Sequence, residues 1–172
     1  ILSSSDNGAT WDNMTSGVST NLASVIYGGG TFVVGGTSGV ILTSTNASTW
    51  SSETSGGNSW SAASDGVSDN LSGTAYGNDM HVISGVSGTI LTSSDNGSSW
   101  TTQTTGTSEV IWEVIYDNNI FVSVSDNGSI YTSGDGTTWT PRTSGTSNPL
   151  RGITYGNSTF VAVGNSGTIY TS

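Results

Sequence analysis

The chain alternates. In "LASVIYGGGTFVVGGTSG", starting at Leu22, apolar residues take turns with small or polar ones along two short runs separated by glycines. A period of two rather than 3.6 predicts half-buried β-strands, with the glycines marking the turn between them. The pattern recurs without gaps in "LSGTAYGNDMHVISGVSG" from Leu71, "IWEVIYDNNIFVSVSDNG" from Ile111 and "LRGITYGNSTFVAVGNSG" from Leu150. Each copy runs into a third alternating stretch ("VILTS", "TILTS", "SIYTS" or "TIYTS"), and three of them lead on to a tryptophan. Each unit therefore predicts four strands. In the first full copy, A lies near 22–27 and B near 31–35, C is the "ILTS" element, and D begins at the tryptophan. Turns such as "YGGGT" and "YGNST" supply Gly and Asn, which tolerate positive φ, so A and B form a tight hairpin.

Four antiparallel strands in about 40–45 residues is the pattern of a β-propeller blade. The copies divide the chain into a partial blade at 1–21, blades at 22–70, 71–110 and 111–149, and a partial blade at 150–172. The expectation is one all-β domain over 1–172, a β-propeller of four-stranded antiparallel blades with about four to five in this chain, or a window on a larger propeller. Tyr27, Tyr76, Tyr116 and Tyr155, with Phe32, Phe121 and Phe160, are expected to pack between blades. The single histidine, His81, stands in the phenylalanine register and reads as a packing residue.

The C–D connections share a second motif. "SSDNGATW" carries Ser4, Asp6, Gly8 and Trp11, and "SSDNGSSW" carries Ser93, Asp95, Gly97 and Trp100. "SGDGTTW", with Ser133, Asp135, Gly136 and Trp139, is one residue shorter; "TSTNASTW" has lost the Asp and the Gly but keeps Trp50. The pattern Ser-x-Asp-x-Gly-x-x-Trp resembles the Asp box, or bacterial neuraminidase repeat. The wider frame resembles the propellers of photosystem II assembly factors, sortilin-type receptors, xyloglucanases and sialidases. That resemblance implies a fold and no particular chemistry, because such proteins share the turn and not the reaction. An Asp accepting backbone N–H groups, a Gly at positive φ and a Trp over the hairpin make a self-satisfied turn. In an antiparallel blade these turns share an end with the A–B hairpins. The B–C and D–A loops occupy the opposite end, where a ligand is expected.

Composition narrows the chemistry. Lys is absent, Arg appears twice, and the formal net charge is −10, which argues against nucleic acid because phosphate binding needs clustered cations. No apolar run approaches the roughly 18 residues of a membrane helix. Without Cys there is no disulfide scaffold and no thiolate metal site. A Ser-, Thr- and Gly-rich, lysine-free acidic chain reads as a secreted or cell-surface microbial protein. Two arginines, one of them (Arg142) on an outer D strand, do not make the cluster that would hold a sialic acid carboxylate. One histidine makes no metal site, and "SDNGS" lacks the downstream Glu of a calcium loop. No metal or cofactor is expected, and no catalytic residue is assigned. Glycosidase chemistry needs two carboxylates roughly 5–10 Å apart. Glu113, standing in the innermost strand where the other copies have Ser24, Gly73 and Gly152, is the acid to watch; Glu109, Asp126, Asp65 and Asp69 fall on its side of the molecule.

Binding has better candidates. Trp112 occupies the repeat position of Ala23, Ser72 and Arg151, and a position that varies while its neighbours repeat can carry specificity. Trp60 lies in the one long D–A insertion, "SGGNSWSAASDGVSDN". The expected ligand face therefore contains Trp60, Trp112, Glu113, Asp126 and Arg151, on a non-catalytic extracellular binding or adhesion module for carbohydrate or protein. Two alternatives stand beside it: a structural repeat protein that self-associates through terminal blade edges, and a fragment of a glycoside hydrolase.

Overall fold

The computed structural model describes residues 1–53 and 69–172. The D–A insertion that holds Trp60 and Asp65 lies outside the described residues. Among the described residues, seventeen strands run in chain order: β1 (Leu2–Ser3), β2 (Asp12–Asn13), β3 (Leu22–Gly28), β4 (Thr31–Gly36), β5 (Ile41–Ser44), β6 (Ser51–Glu53), β7 (Leu71–Gly77), β8 (Met80–Gly85), β9 (Ile90–Ser93), β10 (Thr101–Gln103), β11 (Ile111–Asp117), β12 (Ile120–Ser125), β13 (Ile130–Ser133), β14 (Thr140–Arg142), β15 (Leu150–Gly156), β16 (Thr159–Gly164) and β17 (Ile169–Thr171). They form three four-stranded antiparallel blades, β3–β6, β7–β10 and β11–β14, flanked by the pair β1–β2 and the triplet β15–β17. This is the expected β-propeller, about five blades in all. The outer strands begin one residue after the tryptophan rather than at it, because the indole belongs to the turn.

Inner strands β3, β7, β11 and β15 stand side by side, and the apolar positions of neighbouring blades close three seams. The first seam holds Val33, Ile41, Leu71, Ile83, Leu91 and Trp100; the second is built around Val82, Ile111, Val114, Phe121 and Trp139. The third comprises Val122, Val124, Leu150, Ile153 and Ala162. Within each blade the A-strand tyrosine packs across the hairpin on its partner, with ring centroids 4.5–4.6 Å apart in all four copies. Between blades the same tyrosine lies over glycine. A Cβ on Gly28 would collide with the Tyr76 ring, and one on Gly77 with Tyr116, so these two seams need the missing side chain.

The third seam departs from the first two at one position and from the second at another. Asp117 stands where Gly28 and Gly77 receive a tyrosine, and Glu113 where Gly73 presses against the next blade. At the second seam a Cβ on Gly73 would come within 2.9 Å of the Val114 amide nitrogen. At the third, the Glu113 side chain reaches the equivalent amide, and Ile153 N–H donates to Oε2 at 2.7 Å. Glu113 fills a wider gap and is anchored there.

The C–D turns are closed by hydrogen bonds made by their own side chains. Asp95 accepts from the Ser99 amide at 2.9 Å, the Ser99 hydroxyl at 2.6 Å and the Ser93 hydroxyl at 2.7 Å. Asp135 accepts from the Thr137 and Thr138 amides, both at 2.8 Å, despite its shorter loop. Each indole N–H closes its turn on a carbonyl: Trp11 on Gly8, Trp50 on Ala47, Trp100 on Gly97 and Trp139 on Gly136, at 3.0–3.1 Å. The degenerate copy keeps the same network, because Asn46 Oδ1 accepts from the Ser48 and Thr49 amides at 2.9 Å. An amide oxygen does the carboxylate's work, and Ala47 takes the left-handed conformation at φ 58°.

Hydrogen bonding shifts these carboxyls. The Thr10 hydroxyl and amide bring Asp6 down to about 2. The Thr138 and Thr137 amides hold Asp135 lower still. Burial works to raise Asp95, but bonds from Ser99 and Ser93 together outweigh it and leave that carboxyl below its ordinary value. All three accept hydrogen bonds within their own turns, which is the arrangement of a staple rather than of an acid waiting for substrate.

Candidate functional site at the bulge end

The B–C turns and D–A loops meet at one end. Thr37, Val86, Asp126 and Asn165, each the first residue of a B–C turn, donate their amides to the carbonyls of Asn21, Asn70, Val110 and Pro149. At this end every inner strand carries a β-bulge. Leu22 pairs with Gly36 and Ser24 with Gly35; Leu71 pairs with Gly85 and Gly73 with Ser84. Ile111 pairs with Ser125 and Glu113 with Val124; Leu150 pairs with Gly164 and Gly152 with Val163. The residues skipped are Ala23, Ser72, Trp112 and Arg151. The position that varies in the sequence is thus the one residue per blade that no partner strand pairs, and a bulge turns such a side chain away from the ladder's alternation. Nothing in a single copy of the sequence signals the bulge; only the pairing reveals it.

Two of the four bulge residues meet across the third seam. The Arg151 guanidinium carbon lies 4.1 Å from the centroid of the Trp112 ring. Asp126 ties both together: its Oδ1 accepts the Trp112 indole N–H at 3.0 Å and is 3.1 Å from Arg151 Nη2. Arg151 Nε also donates to Asn165 Oδ1 at 3.4 Å, a partner that sequence reasoning missed although it occupies the repeat position of Asp126. Both partners of the ion pair are partly exposed, 39% for Arg151 and 35% for Asp126. On the neighbouring blade Ser72 Oγ donates to the Ile111 carbonyl at 2.6 Å, locking the second bulge against the third.

Trp112, Asp126 and Arg151 therefore form one contact cluster. Glu113 lies next to Trp112 in sequence but is spent on the Ile153 amide of the neighbouring blade. Glu109 and Asp69, both half-buried, add negative charge at the same end. Among the described residues no group of three or more His, Cys, Asp and Glu is placed to hold a metal ion, and no helix is long and apolar enough to cross a membrane. His81 is 1% exposed, and burial holds it below its ordinary value. Two apolar clefts lie elsewhere, one against Leu2, Trp11, Val25 and Phe32 and one against Val122, Ile153 and Phe160. They are seam surface: Val25 is 60% exposed there, whereas Val114 at the same repeat position is 1% exposed.

No protein-family model and no curated protein matches this chain. Solved structures do. The chain resembles YCF48 from Cyanidioschyzon merolae with a TM-score of 0.67 at 15% identity, over 90% of this chain and 54% of that one. It resembles YCF48 bound to D1 peptide with a TM-score of 0.69 at 15% identity, over 89% and 50%. It resembles an ancestral GH74 enzyme with a TM-score of 0.69 at 20% identity, over 94% of this chain and 24% of that one. The chain spans about half the length of the YCF48 structures. At these identities the likeness carries the propeller fold alone.

Proposed function

We propose that this chain is a non-catalytic, extracellular binding module of the Asp-box type, and that it takes a protein segment at its bulge end. The observation behind this reading is that four structurally equivalent, unpaired positions carry Ala23, Ser72, Trp112 and Arg151 while the surrounding ladder repeats. A scaffold that holds its pairing constant and varies one projecting residue per blade has the layout of a recognition surface. Trp112 supplies a large, rigid, amphipathic anchor of the type that dominates interfaces, and Asp126 fixes its ring. The similarity to a propeller bound to a peptide is consistent with a protein ligand. The commitment of Glu113 to a backbone amide favours binding over hydrolysis. The acidic, lysine-free composition favours a place outside the cell.

The test is a selection from a random peptide display library against the chain. Enriched peptides should bind the Trp112→Ser variant at least tenfold more weakly and bind Asn78→Ala, altered at the opposite end, as they bind the parent. Peptides that ignore Trp112→Ser, or no enrichment at all, would remove the assignment.

A further inference from the structure

An indole face beside a carboxylate is what a guanidinium or ammonium group needs: the ring attracts the cation and the carboxylate takes its N–H groups. Trp112 and Asp126 present that pair, and the group seated on it comes from the chain itself. We infer that the Trp112–Asp126 corner is a receptor for the cationic side chains of a basic peptide, and that Arg151 occupies it in the free chain as an intramolecular plug. The inference rests on the proposed binding role and assigns the ligand its chemistry.

Three observations carry it. First, the pairing does not require a cation at this position. Arg151 is a bulge residue, and the same bulge accommodates Ala23 and Ser72 in other blades. Second, the receptor does not depend on its plug. The Asp126 carboxylate is held by the Trp112 indole and the Asp126 amide by the Val110 carbonyl, both at 3.0 Å, so the corner keeps its shape when Arg151 swings out. The arginine is already 39% exposed while engaged, and an exposed ion pair of this kind is readily exchanged. Third, the charge around the corner selects the sign of the ligand. With Arg151 displaced, Asp126 is uncompensated, and Glu109, Glu113 and Asp69 lie at the same end of a chain whose net charge is −10. The other arginine, Arg142, is on outer strand β14, where its Nε donates to Thr132 Oγ1 at 2.9 Å. A ligand cation would replace the guanidinium on the ring and on Asp126, releasing Arg151 to water.

The probe is a fluorescently labelled N-acetyl tetra-arginine amide, titrated by anisotropy at about 50 mM and 300 mM salt, with tetra-glutamine as control. Arg151→Ser reproduces the residue at the equivalent bulge of blade 71–110 and should fold as the parent does. It should bind tetra-arginine about tenfold more tightly than the parent, a gain of about 1.4 kcal/mol. Affinity should fall at the higher salt concentration, and the Trp112 indole N–H resonance should move on binding. Adding Trp112→Ser to Arg151→Ser should erase the gain. If Arg151→Ser binds no tighter than the parent, or if the gain survives Trp112→Ser, the plug is refuted. Failure here with library peptides still dependent on Trp112 would leave the binding role standing and the cationic ligand gone. A tenfold gain with no peptide enriched from the library would uphold the receptor and remove the wider role.

Discussion

His81→Phe is expected to make the protein more stable, and most so in mild acid. His81 is 1% exposed, and both of its ring nitrogens lack a hydrogen-bond partner. The Gly28 backbone slightly favours the charged ring but stops short of a hydrogen bond, and burial dominates. Phenylalanine already fills the same position in Phe121, which is fully buried. The ring geometry is the same as well: centroids are 4.6 Å apart in both Tyr76–His81 and Tyr116–Phe121, so the site is shaped for a six-membered ring. Relieving buried unpaired polar atoms is worth about 1–3 kcal/mol, and a somewhat larger ring gives part of that back. A net gain of about 1–2 kcal/mol at pH 7.5 follows. With a urea slope of about 2 kcal/mol/M it raises the midpoint by about 0.5–1 M.

The pH dependence has a definite sign. The folded-state pKa of His81 lies below its unfolded value of about 6.5, so between the two the unfolded chain binds more protons. The parent's stability is therefore fully present above about pH 6.5 and declines as pH falls toward the folded pKa. Urea melts at pH 7.5, 6.5 and 5.5 should show that decline in the parent and little of it in His81→Phe. An unchanged or lowered midpoint at pH 7.5, or the same slope with pH in both proteins, would refute the reasoning.

Two further predictions concern the seams and the turns. Gly28→Ala should cost about 1–3 kcal/mol in a urea melt, because its Cβ would meet the Tyr76 ring, whereas Gly156→Ala at the same repeat position, with open space around it, should cost well under 1. Equal costs would mean that the tyrosine does not close the seam. Asp135 has a depressed pKa, so its contribution is present above about pH 4 and is lost as pH falls through the folded value. Asp135→Ala should lower stability by about 1 kcal/mol at pH 7 and by less at pH 2.5, while Asp135→Asn, which copies Asn46, should stay near the parent at pH 7.

The sequence carried the architecture because a propeller is specified locally and repeatedly. Alternation fixes which face of each strand is buried, and turns such as Asn118-Asn119 announce themselves through residues suited to positive φ. The degenerate motif shows its Trp50 in the sequence but not its closure, and only the structure shows that Asn46 stands in for the aspartate. The candidate site was legible only in part. Trp112 and Arg151 stood out by departing from the repeat, but 39 positions separate them, and their stacking exists only because adjacent blades bring equivalent bulges together. The use of Glu113 was hidden for a different reason. Its partner is a backbone amide, which has no identity in sequence, so a search for a second acid could not have found it.

The bulges bear on how such a protein can change. A residue outside the hydrogen-bonded alternation can be replaced without breaking a ladder pair, so the change alters what one end of the molecule presents while the strand pairing stays intact. Each duplication of a blade would add one more letter to that end, read together with its neighbours as Trp112 and Arg151 are, along with the scaffold that holds it. Drift can then run quickly at four sites and slowly at the positions beside them, so recognition can be rewritten while the fold that displays it stays fixed.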